Sequence, residues 1–327
     1  MTLPSPAPPR AASGPTADRR IRALRPPKPP VDLSVAHGWL VEDERRPGGA
    51  VERALTVFLA GAECPFTCAF CDLWRWTTDG ATPPGALPRQ LERVLGELAR
   101  PLPARIKLYN ASNFFDRRAV PAEDVPAIVG LVEPFAGVTV ESHVNTIGPA
   151  TFDFARGIAG RLEVAAGLET IHPEGARHLN KRLDLARFDR AAELLGAGGV
   201  DLRVFVLLGV PYVPTEASVE WAVRSAAYAA ARGAAVVSII PVRGGNGEME
   251  RLAALGHFTP PTLRQLEAAL DACVEALAPT VVTADLWDAG KLAACAACGP
   301  LRVERLRAMN VSGVLQPPVS CAECAAS

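Results

Sequence analysis

Three cysteines fall in one short segment, Cys64, Cys68 and Cys71, in GAECPFTCAFCDLW. Their spacing is Cys-x3-Cys-x2-Cys. Thiolates so spaced on one loop can each reach a different iron of a [4Fe-4S] cubane, and the fourth iron is then left without a protein ligand. A zinc loop, or three unrelated buried thiols, is the competing reading. Structural zinc normally takes four ligands, and no fourth Cys or His lies close by in sequence. A second set of thiols stands near the end of the chain, Cys295 and Cys298 in ACAACGP and Cys321 and Cys324 in SCAEC. Two Cys-x2-Cys pairs make a closed four-thiolate site, for zinc or for an auxiliary [4Fe-4S] cluster. The eighth cysteine, Cys273, lies on the apolar face of a helical pattern and reads as core.

The elements that would position these residues alternate regularly from Ala54 onward. Short apolar, β-branched runs at 54–60, 105–109, 138–142, 162–168, 202–208 and 235–240 read as strands of a parallel sheet. Helical patterns lie between them; Leu87, Leu91, Val94, Leu95 and Leu98 share one face, as do Phe188, Ala191, Ala192 and Leu195. Six strand–helix units predict an α/β architecture, an open, partial parallel (β/α)6 barrel whose loops at the strand C-termini build the site. A doubly wound sheet would give a similar string. The three-cysteine loop follows the first strand directly. Glu141 and Glu169 end the third and fourth strands, where an acid points into a barrel mouth. Residues 1–35, rich in Pro, Ala and Arg, are expected to form a disordered tail. Residues 36–245 form the core and 246–327 a Cys-rich extension with a further amphipathic helix and a short strand.

The chain has 327 residues, 49% of them hydrophobic, and a formal net charge of −1. That composition supports a barrel-sized core and gives no global attraction to nucleic acid. No apolar run is long enough to span a membrane and no signal-peptide core is visible, so a cytoplasmic location is expected.

The cysteine loop, with the aromatic Phe70 just before its third Cys, resembles the signature of the radical S-adenosylmethionine (SAM) enzymes. The resemblance covers about residues 50–245. It implies a [4Fe-4S] cluster whose open iron chelates SAM, and a one-electron donor of flavodoxin or ferredoxin type. It also implies SAM contacts from Asn110, Ser112 and Asn113 after the second strand, from Glu141 and Glu169, and from Lys181, twelve residues beyond Glu169. Gly209, in LLGVPYVPTE, resembles a turn that flanks adenine, and RGGNG at 243–247 offers amides for an anionic group. IKLYNASNFFD, VESH, GLET and LNKR are similar to the radical SAM subunit of archaeosine synthase and the group around the Elongator catalytic subunit. That likeness implies a base or nucleoside in tRNA as substrate, with Arg302, Arg305 and Arg307 available for phosphates if they converge. A small metabolite or a peptide is the alternative substrate, and an iron–sulfur or zinc scaffold without catalysis the non-enzymatic alternative.

Overall fold

A computed structural model of the chain describes residues 14–325. Its framework is one eight-stranded sheet, β1 (Gly38–Arg45), β2 (Val51–Phe58), β3 (Arg105–Tyr109), β4 (Gly137–Glu141), β5 (Arg161–Glu169), β6 (Asp201–Leu208), β7 (Val236–Pro241) and β8 (Val281–Ala284). The strands lie side by side in sequence order. β1 pairs antiparallel with β2, and β2 through β8 run parallel. All six expected strands are present. The sheet gains β1 at one edge and β8 at the other, so it continues past residue 245 into the Cys-rich extension.

Alternation along the strands explains the layers. Leu55, Val57, Ile106, Leu108, Val138, Val140, Val164, Val204 and Ile239 point outward into one core beneath the helices. Their neighbours Thr56, Lys107, Thr139, Glu163, Arg203 and Ser238 are equally buried but polar. The strands are therefore uniformly apolar on the helix side and mixed on the inner side. The inner face carries polar groups, which a sheet buried on both sides tolerates only when they are paired.

The sheet is curled. The rings of Tyr109 on β3 and Phe205 on β6 approach to 6.4 Å across three strand positions, whereas three spacings of a flat sheet would exceed about 14 Å. Glu44 on edge strand β1 likewise reaches Arg203 on β6. Glu163 is fully buried and accepts from Arg203 Nε at 2.8 Å and Thr139 Oγ1 at 3.0 Å, with Arg46 Nη2 at 2.8 Å. Lys107 Nζ lies 2.7 Å from Glu42 and 3.0 Å from Glu44. These groups form an ionic floor inside the half barrel. The gap between its two edges is covered by the helix Gly299–Ser312, which packs against both β1 and β8. Asn310 on that helix accepts from the Ala284 amide and donates to its carbonyl, both at 2.8 Å, and Arg45 donates to the Ser312 carbonyl at 2.6 Å.

The N-terminal tail needs correction. Residues 1–13 lie outside the described residues, but Pro15–Leu24 is an α-helix with Ala17 and Ile21 buried. Pro15 suits a first helical turn. Asp18 accepts from Thr67, Asn180 and Arg182, so local composition was overridden by contacts with the cysteine loop. Among the described residues, no helix is long and apolar enough to cross a membrane.

The floor predicts a large asymmetry between two substitutions. Glu163→Ala leaves the buried Arg203 and Arg46 guanidinium groups with Glu44 alone and should cost about 3–5 kcal/mol. Glu163→Gln retains acceptors for Arg203 and Thr139 and should cost clearly less. Urea unfolding of the two variants measures the difference, and equal costs would mean that the floor is not held by this carboxylate.

Candidate active site at the barrel mouth

No helix or strand spans Glu63–Asp72, the segment that carries the three cysteines. Its backbone polar groups must find partners elsewhere. Two buried asparagines supply them. Asn246 Nδ2 donates to the carbonyls of Ala69 at 2.7 Å and Cys71 at 3.3 Å, while its Oδ1 accepts from the Met249 amide at 2.9 Å. Asn180 Nδ2 donates to the Thr67 carbonyl at 2.9 Å, and its Oδ1 accepts from the Gly14 amide at 3.1 Å. The Ala69 amide donates to the Leu179 carbonyl at 2.8 Å. Sequence reading singled out neither asparagine. Their only signal was an Asn in each of two loops, LNKR after the helix Pro173–His178 and RGGNG after β7.

The cysteines are neighbours, each partly buried. Burial pushes the Cys68 thiol up to about 12 and the Cys71 thiol further upward, and each is raised again by the nearby thiols. Cys64 is raised by burial and eased by hydrogen bonds from the Phe66 backbone and Asn113. Lys181 pulls Cys64 and Cys68 in the opposite direction. Thiols so raised become thiolates when a metal takes the proton's place.

The polar residues expected around the loop are brought together with it. Asn113 Nδ2 donates to Cys64 Sγ at 3.4 Å, and Asn113 Oδ1 accepts from the His143 amide at 2.7 Å. The His143 ring lies 3.0 Å from the Lys181 carbonyl through Nε2 and stacks on Phe66 at 4.0 Å. Glu141 Oε1 accepts from the Asn110 amide at 2.8 Å. Burial raises Glu141 from its ordinary 4.5 to about 7, against hydrogen bonds from the backbones of Asn110, Ala111 and Ser112. Lys181 Nζ donates to Glu169, and both are buried or nearly so. Gly167 makes room for this pair, since a Cβ there would lie 1.9 Å from Glu169 Oε1 and 2.3 Å from Lys181 Nζ. Glu169 itself has φ +67°, just after the register shift that ends β5.

Three expectations come out differently. Gly209 has φ +81°, and a Cβ on it would meet Pro261 at 2.7 Å, so the turn and the packed proline account for the glycine. Phe70 packs with Leu179, Leu207, Val210, Val242 and Met249, which anchors the loop to an apolar cluster. In RGGNG, the amides of Gly245 and Gly247 already hold an anion, the carboxylate of Glu250.

The residues present fit the implied cofactors on one further count. Asn110 is 1% exposed, yet neither its Nδ2 nor its Oδ1 has a partner among the described residues, and the same holds for Ser112 Oγ. Leaving such atoms unpaired costs about 1–3 kcal/mol each. A ligand with its own amino, carboxylate or hydroxyl groups would satisfy them.

The four C-terminal cysteines also converge. All four sulfurs lie within 4.8 Å of one another, with Cys295–Cys321 at 4.0 Å and Cys298–Cys324 at 3.5 Å. Four-coordinate zinc with Zn–S of about 2.3 Å requires sulfurs about 3.8 Å apart, and a cubane would require about 6 Å. Arg302 Nε donates to Cys298 Sγ at 3.2 Å and its Nη1 to Glu267 at 2.5 Å. Arg305 is buried against Asp271 at 2.8 Å and the Gln316 and Pro317 carbonyls, and Arg307 pairs with Glu304 at 2.5 Å. Arg302 and Arg305 are thus engaged by acids and carbonyls of the extension, and Arg307 by its helix neighbour Glu304 in an exposed pair.

Two outcomes are expected from substitutions here. Asn246→Ala should take up less iron than the wild type on anaerobic reconstitution while the C-terminal thiols keep their metal, as elemental analysis would show. Glu141 binds its proton more tightly folded than unfolded, so stability should fall as pH rises from about 4.5 to about 7. Glu141→Gln removes that loss. Thermal melts of the metal-free protein should favour the variant at pH 8 and show no gain at pH 4.

No protein-family model matches the chain, and no curated protein matches it. Solved structures do. A crystal structure of methylornithine synthase aligns with a TM-score of 0.53 at 15% identity, over 80% of this chain and 71% of that one. A radical SAM methyltransferase from Sphaerobacter thermophilus aligns with a TM-score of 0.49 at 15% identity, over 77% and 76%. Archaeal Elp3 from Methanocaldococcus infernus aligns with a TM-score of 0.46 at 13% identity, over 69% of this chain and 58% of that one. What is shared at these identities is the fold, an open and mostly parallel barrel.

Proposed function

We propose that this chain is a radical SAM enzyme. Cys64, Cys68 and Cys71 would hold a [4Fe-4S] cluster that would bind SAM at its open iron and supply the one electron that breaks a C–S bond, giving methionine and a 5'-deoxyadenosyl radical. The observation that carries this reading is the partly buried three-thiol loop beside the unpartnered polar atoms of Asn110 and Ser112. Asn110, Ser112 and Asn113 would receive the amino-acid end of SAM, with Lys181 near its carboxylate and Glu141 and Glu169 near its amino and hydroxyl groups. Phe70 and the two asparagines would hold the loop, and a flavodoxin- or ferredoxin-type donor would deliver the electron.

For the substrate, the sequence resemblance favours a base or nucleoside in tRNA. The arginines that reading invoked are spent in ion pairs, and the net charge is −1. A small molecule taken into the half barrel is the better-supported reading. The extension would carry one structural zinc on Cys295, Cys298, Cys321 and Cys324, given its sulfur spacing.

The test is an assay for 5'-deoxyadenosine after anaerobic reconstitution, with dithionite or reduced flavodoxin as donor. The wild type should form it, and Cys68→Ala should not. Product absent from a wild type that carries four irons would favour the scaffold reading. Elemental analysis should also find one zinc per chain, lost in Cys298→Ser. More than about four irons per chain would reassign the extension to an auxiliary cluster.

A further inference from the structure

Between the ionic floor and the cysteine loop lies an open band inside the half barrel. Phe58, Tyr109, Glu141, Phe205 and Ile240 occupy inward positions on five strands. Each is partly exposed, although the residue just before it is buried. Helices cover the outside of these strands, so the exposed surface faces the lumen. On β5 the inward positions at this height are Ala165 and Gly167, which add space.

One wall of this space is aromatic. Trp287, in the loop after β8, meets Phe58 at 5.9 Å; Phe58 meets Tyr109 at 6.5 Å; Tyr109 meets Phe205 at 6.4 Å. Four rings thus form a continuous arc from one edge of the sheet towards the other. Trp287 is 60% exposed, an unusual position for a tryptophan with so much surface to bury. The Tyr109 hydroxyl has no hydrogen-bond partner among the described residues.

The acids nearest the arc are mostly paired with cations, and Glu141 is the exception. Tyr109 is pushed well above its ordinary value by burial, and then by Glu141, Glu163, Glu42 and Asp285. Arg243 is spent on Asp285 at 2.8 Å and on the Trp287 carbonyl. Lys107 and Arg203 are tied into the floor. Glu141 has no ion-pair partner among the described residues. Faces of aromatic rings attract cations and N–H edges and disfavour anions.

We propose that the substrate is a small molecule with a flat aromatic ring and a basic nitrogen, the ring lying on the Trp287–Phe58–Tyr109–Phe205 arc and the nitrogen directed towards the Tyr109 hydroxyl. The assignment of the lumen to a substrate rests on the radical SAM reading; the chemistry of the wall does not. Binding can therefore be measured apart from catalysis.

The experiment is anaerobic calorimetric titration of the reconstituted chain, with SAM present, using tryptamine, 2-cyclohexylethylamine and indole-3-acetate as probes. Tryptamine should bind at least about tenfold more tightly than either other probe, since one lacks the ring's π faces and the other reverses the charge. Trp287→Ala, on an exposed loop, and Phe205→Ala should each weaken tryptamine by about fivefold or more and leave SAM affinity unchanged. A 2-cyclohexylethylamine or indole-3-acetate affinity within tenfold of tryptamine, an unaffected Trp287→Ala variant, or no tryptamine binding would overturn the proposal. Failure of the radical SAM reading has a separate signature, no SAM binding and no deoxyadenosine, and tryptamine can be titrated without SAM in that case.

Discussion

The site depends on one constraint: a loop without secondary structure must present three thiols in a fixed arrangement while its own peptide groups stay satisfied. Asn180 and Asn246 meet that constraint by donating side-chain N–H groups to the carbonyls of Thr67, Ala69 and Cys71. Each asparagine also accepts a backbone N–H, from Gly14 and Met249 respectively. The loop is thereby tied to the N-terminal helix on one side and to the segment after β7 on the other. Phe70 adds an apolar anchor between them. Remove these ties and the thiols would sample many arrangements, each paying its own ordering entropy before a cluster could form.

The interior of the half barrel is graded in the same terms. At the bottom, Glu163, Arg203, Arg46, Lys107 and Glu44 neutralise one another out of water. Above them stands the aromatic arc, and above that the polar mouth where Glu169 and Lys181 pair beside the cysteines. Burial costs ions most where they are unpaired, and at the mouth both side-chain polar atoms of Asn110, with Ser112 Oγ, have no partner among the described residues.

Much of this was legible in sequence because the signals were local. The Cys-x3-Cys-x2-Cys spacing, the six apolar runs and the acids ending β4 and β5 depend only on neighbours along the chain. What was missed depends on distant partners. The helix Pro15–Leu24 is polar and proline-led, and it becomes readable only once Asp18 meets Thr67 and Asn180, residues far along the chain. Strand β1 alternates weakly, in GWLVEDER, because Glu42 and Glu44 serve the barrel floor rather than a solvent face. Arg302 and Arg305 looked like a basic surface, yet their acids, Glu267 and Asp271, sit more than thirty residues away on another helix. The glycines of RGGNG looked free to bind an anion, and Glu250 within the same chain supplies it.

The central claim is that the cluster at Cys64, Cys68 and Cys71 keeps one iron open and that SAM takes it. Electron paramagnetic resonance of the reconstituted, dithionite-reduced protein, recorded with and without SAM, reads that iron directly. The account predicts a reduced [4Fe-4S] signal whose g-values shift when SAM is added, and no such signal from these three positions in Cys64→Ala. A spectrum of the wild type indifferent to saturating SAM would contradict it.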